Sequence, residues 1–394
     1  MKRILASFAV FALAGVGFAH RDIRVGTDVK TIAEAIIQAQ PGDTIHLAPG
    51  RYWESAAFHN KSGEPGRPIT LDGHGATLDG SEPLKPADWE MVSPGLYRNR
   101  NLLPVNPANL GRWFFVFDGK MNHMGRTSKG PSAPLKKVEE LQAGDWTYVP
   151  DAPITRDARH IKGAFYIKID PAKTLADYRI EAPIRPNGVS LSGRCEHLVI
   201  RNVTSTHVHN DGYNIHGYTR DIVFENIKAI ECGDDGVSAH DDCQIRVNGL
   251  VSIGNSTGIC DVGDSVSHYN RVFIKDCLGH DLYFLDTNEH SVSNSVVQSS
   301  AWRGLVVTGR ADTNKVCTLT LDNVLIRRVG KPEPAYVQKN AVLRAKRVTL
   351  ENLELVTQGE ATFDNCLLNG KPKPDGSKAT GADKARLIKE IVPP

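Results

Sequence analysis

Aspartates recur at a fixed interval in the middle of the chain. Asp211-Gly212 is followed 24 residues later by Asp235-Gly236, and Asp234 directly precedes the second pair. Glycoside hydrolysis needs one carboxylic acid to protonate the leaving oxygen and one carboxylate to act on water or carbon. Two carboxylates held close together raise the pKa of one of them, which supplies an acid near neutral pH. Asp and Gly also form ordinary turns, so a purely structural role explains the same pattern.

Histidines repeat at the same interval. His216 and His240 are 24 residues apart and follow the two Asp-Gly pairs. They could orient a carboxylate, move a proton or bind a metal, or they could form an exposed ladder of stacked rings. The candidate catalytic residues are Asp211, Asp234, Asp235 and His240. The candidate substrate-binding residues are His216, His280, Asp281 and Arg303, the last because a guanidinium suits a uronate or sulfate. No particular set of metal ligands is indicated.

The elements that must position these residues are short repeats of 22–24 residues. One column of equivalent positions consists of Asn187, Asp211, Asp235, Thr257, Asp281 and Arg303. A second column holds residues that adopt the left-handed conformation at low cost, which predicts a bend shared by all of them. Its members are Asn202, Asn226, Gly249, Asp276, Asn323 and Asn352. Short strands repeating near this period stack in parallel at about 4.8 Å per coil. The pattern therefore predicts an all-β fold, a single parallel β-helix.

Stacking would turn equivalent positions into lines on the surface. Asp211 should lie about 5 Å above Asp235, and Asp234 could reach the separation of about 6.5–9.5 Å of an inverting pair. Side-chain alternation sends Tyr213 inward and His216 outward. We therefore expect one groove along the helix, with the polar atoms of the aspartates and of His240 facing solvent.

The first 19 residues of the chain predict export. Residues 1–19 predict a signal peptide, with basic Lys2 and Arg3, an apolar run over residues 4–18 and a small residue, Ala19, before the cleavage site. A buried first strand is the alternative. No later apolar stretch could span a bilayer. We expect a secreted or periplasmic, monomeric protein with no membrane segment after cleavage, whose seven cysteines mostly pack as small buried residues.

The charge of the processed chain is balanced. Removing Lys2 and Arg3 from the 47 basic residues leaves 45, against 45 acidic residues. A neutral chain argues against nucleic acid as a partner, because phosphates demand a basic surface. It is compatible with a polysaccharide, either neutral or acidic.

Four segments follow the predicted leader. Residues 20–81 predict an N-terminal cap and the first coils, with a short capping helix over residues 28–40 begun by Thr27 or Asp28. Residues 82–186 break the repeat and are rich in aromatic residues, which predicts a β-rich insertion that walls one side of the groove; a separate domain is the alternative. Residues 187–370 predict the main coils, and residues 371–394 a flexible tail.

The chain resembles the secreted right-handed β-helix proteins of the pectin-lyase-like superfamily. The resemblance rests on Thr31-Ile32-Ala33-Glu34-Ala35, Gln40-Pro41-Gly42-Asp43-Thr44-Ile45, Pro49-Gly50-Arg51-Tyr52 and Pro68-Ile69-Thr70-Leu71-Asp72-Gly73. It implies the right-handed parallel β-helix and export. The segments 209–212 and 233–236 are similar to catalytic motifs of the polygalacturonase family, which implies catalytic roles for Asp211, Asp234 and Asp235. Two further motifs of that family are missing: Thr257 stands where its histidine would fall, and residues 306–308 lack its Arg-Ile-Lys.

Three functions are compatible with these features. The first is a glycoside hydrolase that cleaves an extracellular polysaccharide and requires no cofactor. The second is a lyase or epimerase acting on a uronate polymer, in which the acidic cluster would hold Ca²⁺ and a basic residue such as Arg303 would take a proton. The sequence places no basic residue inside the acidic cluster, which weighs against that function. The third is a glycan-binding β-helix without catalysis.

Overall fold

The computed structural model describes residues 20–393 except 103–105, 156–157, 311 and 313. The predicted signal peptide lies outside the described residues. Within them, no helix is long and apolar enough to cross a membrane.

The main body is a right-handed parallel β-helix in which two sheets share one core. The larger sheet contains 14 strands: Asp22–Arg24, Thr44–His46, Arg51–Tyr52, Ile69–Asp79, Arg194–Thr206, Tyr218–Ile230, Asp242–Ile253, Val266–Lys275, Asn288–Ser299, Cys317–Arg328, Ala341–Glu351, Glu360–Asp364, Cys366–Leu368 and Lys371–Lys373. The smaller sheet contains nine: Ala56–His59, Val189–Ser192, Tyr213–Ile215, Asp235–Ala239, Thr257–Asp261, His280–Asp286, Arg303–Gly309, Glu333–Val337 and Leu353–Thr357. We call the smaller sheet the site sheet.

A line of glycines opens the strands of the site sheet. A Cβ on Gly188 would lie 3.1 Å from the carbonyl oxygen of Gly212, and one on Gly212 would lie 2.8 Å from that of Gly236. Gly258 and Gly304 continue the line one and three coils further on. A side chain at these positions would enter the core, so the bend into each strand requires a glycine or a distortion. The predicted alignment of the glycines is confirmed.

The predicted left-handed conformation is confirmed for all six residues, but only four of them share one bend of the coil. All six residues have positive φ, between 50° and 88°. Asn202, Asn226, Gly249 and Asn323 share one ladder of bends, and Arg271 takes the next place after Gly249. Asp276 and Asn352 belong elsewhere, because each follows the end of a long strand, Val266–Lys275 and Ala341–Glu351. The coil has more than one left-handed corner, and sequence spacing alone did not separate them.

One helix packs on the N-terminal end of the coil stack, and a second packs against the strands Val266–Lys275 and Asn288–Ser299 of the larger sheet. The N-terminal helix spans Ile32–Gln38, and Thr31 caps it by accepting a hydrogen bond from Glu34 N–H at 3.1 Å. It is shorter than the predicted 28–40, and neither Thr27 nor Asp28 is the cap. The tail, predicted to be flexible, forms the strand Lys371–Lys373 and a helix, Lys384–Ile391, whose Leu387 is buried in the core cluster that it shares with the larger sheet.

The insertion is a compact β-rich unit, as its composition predicts. Its first antiparallel sheet comprises Ser81–Pro83, Phe115–Phe117, Lys120–Asn122 and Ile180–Pro183, and its second comprises Glu90–Ser93, Leu96–Asn99, Trp146–Pro150 and Gly163–Lys168. Its helical elements are Pro86–Asp88, Pro107–Arg112, Val138–Glu140 and Leu175–Asp177. Trp113, Phe115, Trp146 and Phe165 form a core separate from that of the β-helix.

Candidate functional site

The three candidate aspartates meet where two strands of the site sheet begin. Asp211 precedes Tyr213–Ile215, and Asp235 opens Asp235–Ala239 on the next coil. Asp235 N–H donates a 3.0 Å hydrogen bond to Asp211 Oδ1. One oxygen from each of Asp211, Asp234 and Asp235 lies within 4.8 Å of the others. We call these three residues the acidic triplet. The prediction that they lie close together is confirmed.

The acidic triplet is buried, which contradicts the predicted solvent-facing groove. Asp211, Asp234 and Asp235 are 3, 6 and 2% exposed. The insertion does not stand beside this face as a wall but lies on top of it. Burial of three carboxylates is costly unless cations and hydrogen-bond donors accompany them, and the insertion supplies both.

Two cations from the insertion pair with the triplet. Arg112, the last residue of the helix Pro107–Arg112, contacts Asp234 Oδ2. The Nζ of Lys129 contacts Asp235 Oδ1 and lies 3.2 Å from Asp234 Oδ1. Ser128 Oγ donates to the same Asp234 oxygen at 3.1 Å. The acidic triplet, Arg112 and Lys129 therefore form one cluster of three carboxyl groups and two cations.

Close backbone approach holds the segment that carries Lys129. Thr127 and Ser256 join their hydroxyl groups by a short hydrogen bond. A Cβ on Gly130 would lie 2.6 Å from the Cα of Gly279, so only glycine allows this contact. The segment is thus fixed on both sides of Lys129 against the coils that follow the triplet.

The pKa values of the three aspartates shift in different directions. Burial raises the pKa of Asp235 to about 8, with the charge of Asp234 adding to the rise. Burial and the charge of Asp234 also raise the pKa of Asp211. For Asp234, burial acts in the same direction, but the charges of Lys129 and Arg112 outweigh it and hold the pKa below the ordinary value. Burial thus favours the protonated forms of Asp235 and Asp211, whereas the two cations favour the ionised form of Asp234.

Lys129 keeps its proton. Burial by itself would lower its pKa, but the neighbouring carboxylates, Asp235 first, raise the pKa well above its ordinary value. Its side chain is 20% exposed, more than any carboxylate beneath it. Lys129 is therefore the group of this cluster that a molecule approaching from solvent meets first.

His216 and His240 face outward on adjacent coils, as predicted. Their rings stack with centroids 4.0 Å apart and an interplanar angle of 12°. His240 Nε2 lies 2.8 Å from Ser238 Oγ, and His216 Nδ1 lies 3.2 Å from Asp241 Oδ2. Burial, followed by the proximity of His216, lowers the pKa of His240 to about 4. His240 is thus a neutral imidazole at pH 7 and a poor proton shuttle.

The remaining candidates do not form a continuous binding line. Thr257 pairs with His280, not with Asp281, so the predicted column slips by one residue at this coil. Asp281 takes the place of a glycine in the glycine line, and its fully buried side chain enters the core, where burial raises its pKa to about 7. Asp281 therefore cannot bind substrate. His280 is buried, with its ring stacked 4.2 Å from that of Tyr283.

Arg303 is engaged within the protein. Its guanidinium lies 4.3 Å from the ring of Trp302 and 5.1 Å from that of Tyr336. Its Nη1 donates to Glu333 at 2.9 Å. Binding of an acidic sugar by Arg303 would require this ion pair to open.

Sequence reasoning missed Arg112, Ser128 and Lys129. They lie more than 80 residues before the nearest aspartate of the triplet, in an insertion without a repeat. A basic residue in an irregular segment carries no periodic signal, because its partner is set by how the insertion folds back.

The donor set of the triplet suits a hard cation such as Ca²⁺, which prefers carboxylate oxygens. Lys129 already lies between Asp234 and Asp235, where a metal ion would have to bind. The residues thus fit a metal ion only if the Lys129 side chain moves away.

Several solved structures resemble this chain in fold, although their sequences are only 9–14% identical to it. A structure described as a glycoside hydrolase matches with a TM-score of 0.55 at 9% identity, covering 89% of this chain and 97% of that chain. Pectate lyase Pel9A matches with a TM-score of 0.46 at 14% identity, covering 93 and 83%. XylC in complex with xylose matches with a TM-score of 0.45 at 11% identity, covering 90 and 86%.

The chain shares the β-helix fold of the structure described as a glycoside hydrolase. No protein-family model and no curated protein matches it. At these identities the similarity establishes the fold alone, so the chemistry has to be argued from the site.

This β-helix has a second charged cluster beneath the insertion. His207 Nε2 lies 3.0 Å from Glu231 and its Nδ1 lies 3.5 Å from Asp79. Arg51 bridges Asp79 and Glu181 of the insertion at 2.5 and 2.8 Å. Burial would lower the pKa of His207, but Asp79 and Glu231 raise it to about 9. The arrangement fastens the insertion to the coils and so indirectly positions Lys129.

Proposed function

We propose that the protein is a glycoside hydrolase that cleaves an extracellular polysaccharide at the acidic triplet. The observation that carries this proposal is the buried cluster of three adjacent carboxyl groups in contact with Arg112 and Lys129. In it, burial raises the pKa of Asp235, whereas the two cations hold the pKa of Asp234 below its ordinary value. Environments that push the pKa values of two adjacent carboxyl groups apart are how one site supplies both an acid and an anion near pH 7.

In this mechanism Asp235 donates its proton to the glycosidic oxygen as the bond from that oxygen to the anomeric carbon breaks. Water then adds to the anomeric carbon and gives up a proton that restores Asp235. Asp234 remains ionised, because Arg112 and Lys129 hold it, and stabilises the positive charge that develops on the sugar. Asp211 accepts the backbone N–H of Asp235 and orients it. The closest oxygens of the three lie within 4.8 Å, nearer to the separation of about 5–5.5 Å in retaining enzymes than to the 6.5–9.5 Å of inverting ones.

Access to Asp235 depends on Lys129. The carboxyl group is 2% exposed beneath that side chain, so a glycosidic oxygen reaches it only when the flexible lysine turns aside. The stacked rings of His216 and His240 lie on the coils of Asp211 and Asp235, and the 39% exposed Trp302 lies three coils beyond Asp235. Both offer ring surface to a sugar chain that runs along the coils. Hydrolysis outside the cytoplasm agrees with the predicted leader peptide.

The test is incubation with a panel of neutral and acidic polysaccharides. The hydrolase is supported by new reducing ends that appear without the ultraviolet absorbance of an unsaturated uronide and are lost in Asp235→Asn. A panel that the wild type leaves intact, under conditions where the fold is verified, would favour a glycan-binding role.

Elimination from a uronate polymer is a second candidate because of one observation, the basic Lys129 within the acidic triplet. A lyase needs a base, and the carboxylates keep Lys129 protonated, which opposes that role. A Ca²⁺ ion bound to the triplet would neutralise a uronate carboxylate and displace the lysine. Unsaturated products that require added Ca²⁺ and vanish on chelation would establish this candidate and exclude the first.

A further inference from the structure

Two histidines near the N-terminal end of the β-helix face each other through their ring nitrogens. His46 lies in the strand Thr44–His46, and His74 lies at a left-handed bend, φ 47°, within Ile69–Asp79. His46 Nδ1 and His74 Nε2 are 2.9 Å apart, and the rings are stacked at 5.2 Å with an interplanar angle of 13°. The strand that holds His74 is followed in the larger sheet by Arg194–Thr206 and Tyr218–Ile230, so the pair lies a few coils before the acidic triplet and belongs to the other sheet.

Each histidine has a carboxylate at its other ring nitrogen. His46 Nε2 lies 2.8 Å from Asp22 Oδ1, and His74 Nδ1 lies 3.5 Å from Asp72 Oδ1. Asp22 lies on the strand before His46, and its pKa is lowered by that hydrogen bond. Asp72 also accepts from Arg201 Nε at 2.7 Å, which keeps it in place. Carboxylates in this position orient metal-binding histidines and increase their basicity.

Two arrangements of hydrogens fit these contacts, because two neutral imidazoles supply two N–H groups and only the His74–His46 and His46–Asp22 contacts are hydrogen-bonded. In the first, His74 Nε2–H donates to His46 Nδ1 and His46 Nε2–H donates to Asp22, while the 3.5 Å contact between His74 Nδ1 and Asp72 holds no hydrogen. In the second, the central contact holds no hydrogen. Both rings then donate outward to the carboxylates, and two lone pairs face each other across 2.9 Å. In that arrangement the central contact requires either an additional proton or a metal ion.

The distance between the nitrogens suits a metal ion. Two ligands about 2.05 Å from one ion lie about 2.9 Å apart when they subtend a right angle. A right angle between nitrogen ligands is typical of the tetragonal sites of Cu²⁺ and Ni²⁺. Both rings are accessible, with 27 and 46% of their side chains exposed, and they line an open cavity of about 370 Å³. The cavity leaves space for water or a further ligand.

We propose that His46 and His74 form a binding site for a divalent transition metal of the Cu²⁺ class, oriented by Asp22 and Asp72. The ion binds between the two ring nitrogens and joins consecutive strands, since Arg24 pairs with His46 and His46 pairs with Asp72 in the larger sheet. Its binding therefore strengthens the N-terminal end of the coil stack. The site is independent of the proposed hydrolase activity.

The test is titration of the metal-free protein with CuCl₂, followed by electron paramagnetic resonance. We expect one equivalent of Cu²⁺ with two nitrogen ligands and a melting temperature that rises with the logarithm of free Cu²⁺. His46→Gln and His74→Asn should each weaken binding by at least about 10-fold, as should Asp22→Asn through loss of orientation.

His197→Asn is the matched control. His197 also has positive φ, 53°, and a carboxylate partner, Asp221, at 3.0 Å, but its ring does not share the His46–His74 contact. Asn tolerates the left-handed conformation at both positions, so both variants should fold. Unchanged affinity in His46→Gln and His74→Asn, or no Cu²⁺ binding by the wild type, would overturn the proposal. If His74→Asn fails to fold, His46→Gln decides.

Discussion

Replacing Asp235 by Asn removes the proposed acid without changing its shape. General acid catalysis contributes about 10²–10⁴-fold, so we expect kcat/KM to fall by that factor. The structure also makes a prediction for stability. The pKa of Asp235 is raised from an ordinary 3.8 to about 8, so between these values the folded protein holds a proton that the unfolded chain has lost.

The sign of the effect follows from proton linkage. A group whose pKa rises on folding contributes stability that is fully present below about pH 4 and is lost as the pH rises toward 8. The loss is about 1.4 kcal/mol per pH unit, or about 4 kcal/mol between pH 4 and 7. Asn has no proton to lose. The stability of Asp235→Asn relative to wild type should therefore rise by about 4 kcal/mol over this range.

A weaker bond with Lys129 offsets part of this gain. Hydrogen bonds to charged groups contribute about 1.5–3 kcal/mol, so the net gain of the variant at pH 7 should be about 1–2.5 kcal/mol. The measurement is urea unfolding at half-unit steps from pH 4 to 9, together with reducing-end release on a substrate that the wild type cleaves. Asp276→Asn, an exposed substitution at a left-handed bend, is the control and should alter neither profile.

Two outcomes would refute this reasoning. Undiminished activity would remove Asp235 from the mechanism. A loss of stability at pH 7 with no change in the pH slope would show that Asp235 is ionised in the folded protein and serves only to hold Lys129.

Three other perturbations have definite outcomes. Lys129→Met removes a charge that lowers the pKa of Asp235, so the alkaline limb of the pH–rate profile should move upward; a limb that stays in place contradicts the ion pair. Gly236→Ala puts a Cβ 2.4 Å from a core hydroxyl oxygen and should lower the free energy of unfolding in urea by more than about 2 kcal/mol, whereas the unobstructed helical Gly111→Ala should raise it by about 0.5–1 kcal/mol. His207→Gln should remove a stability contribution that the wild type loses between about pH 6.5 and 9, as His207 gives up its proton; identical pH profiles in unfolding experiments would exclude that role.

The repeat could be found from the sequence because a β-helix is built from local rules. Every coil needs an inward apolar pair such as Val189 and Leu191, a residue tolerant of positive φ such as Asn202, and a glycine where the strand begins. These needs return at each turn, so they appear in the sequence as a period. The same period brought Asp211 and Asp235 onto adjacent coils and sent His216 outward.

Only the tertiary structure decided the environment of those aspartates. Lys129 and Arg112 come from an insertion whose fold depends on its own aromatic core, and no interval in the sequence relates them to Asp234. One-residue slips, such as the one that sends Asp281 into the core, depend on the length of each individual turn. Periodicity thus determined the scaffold and the placement of the carboxylates, whereas long-range packing determined their burial, their charge partners and their protonation.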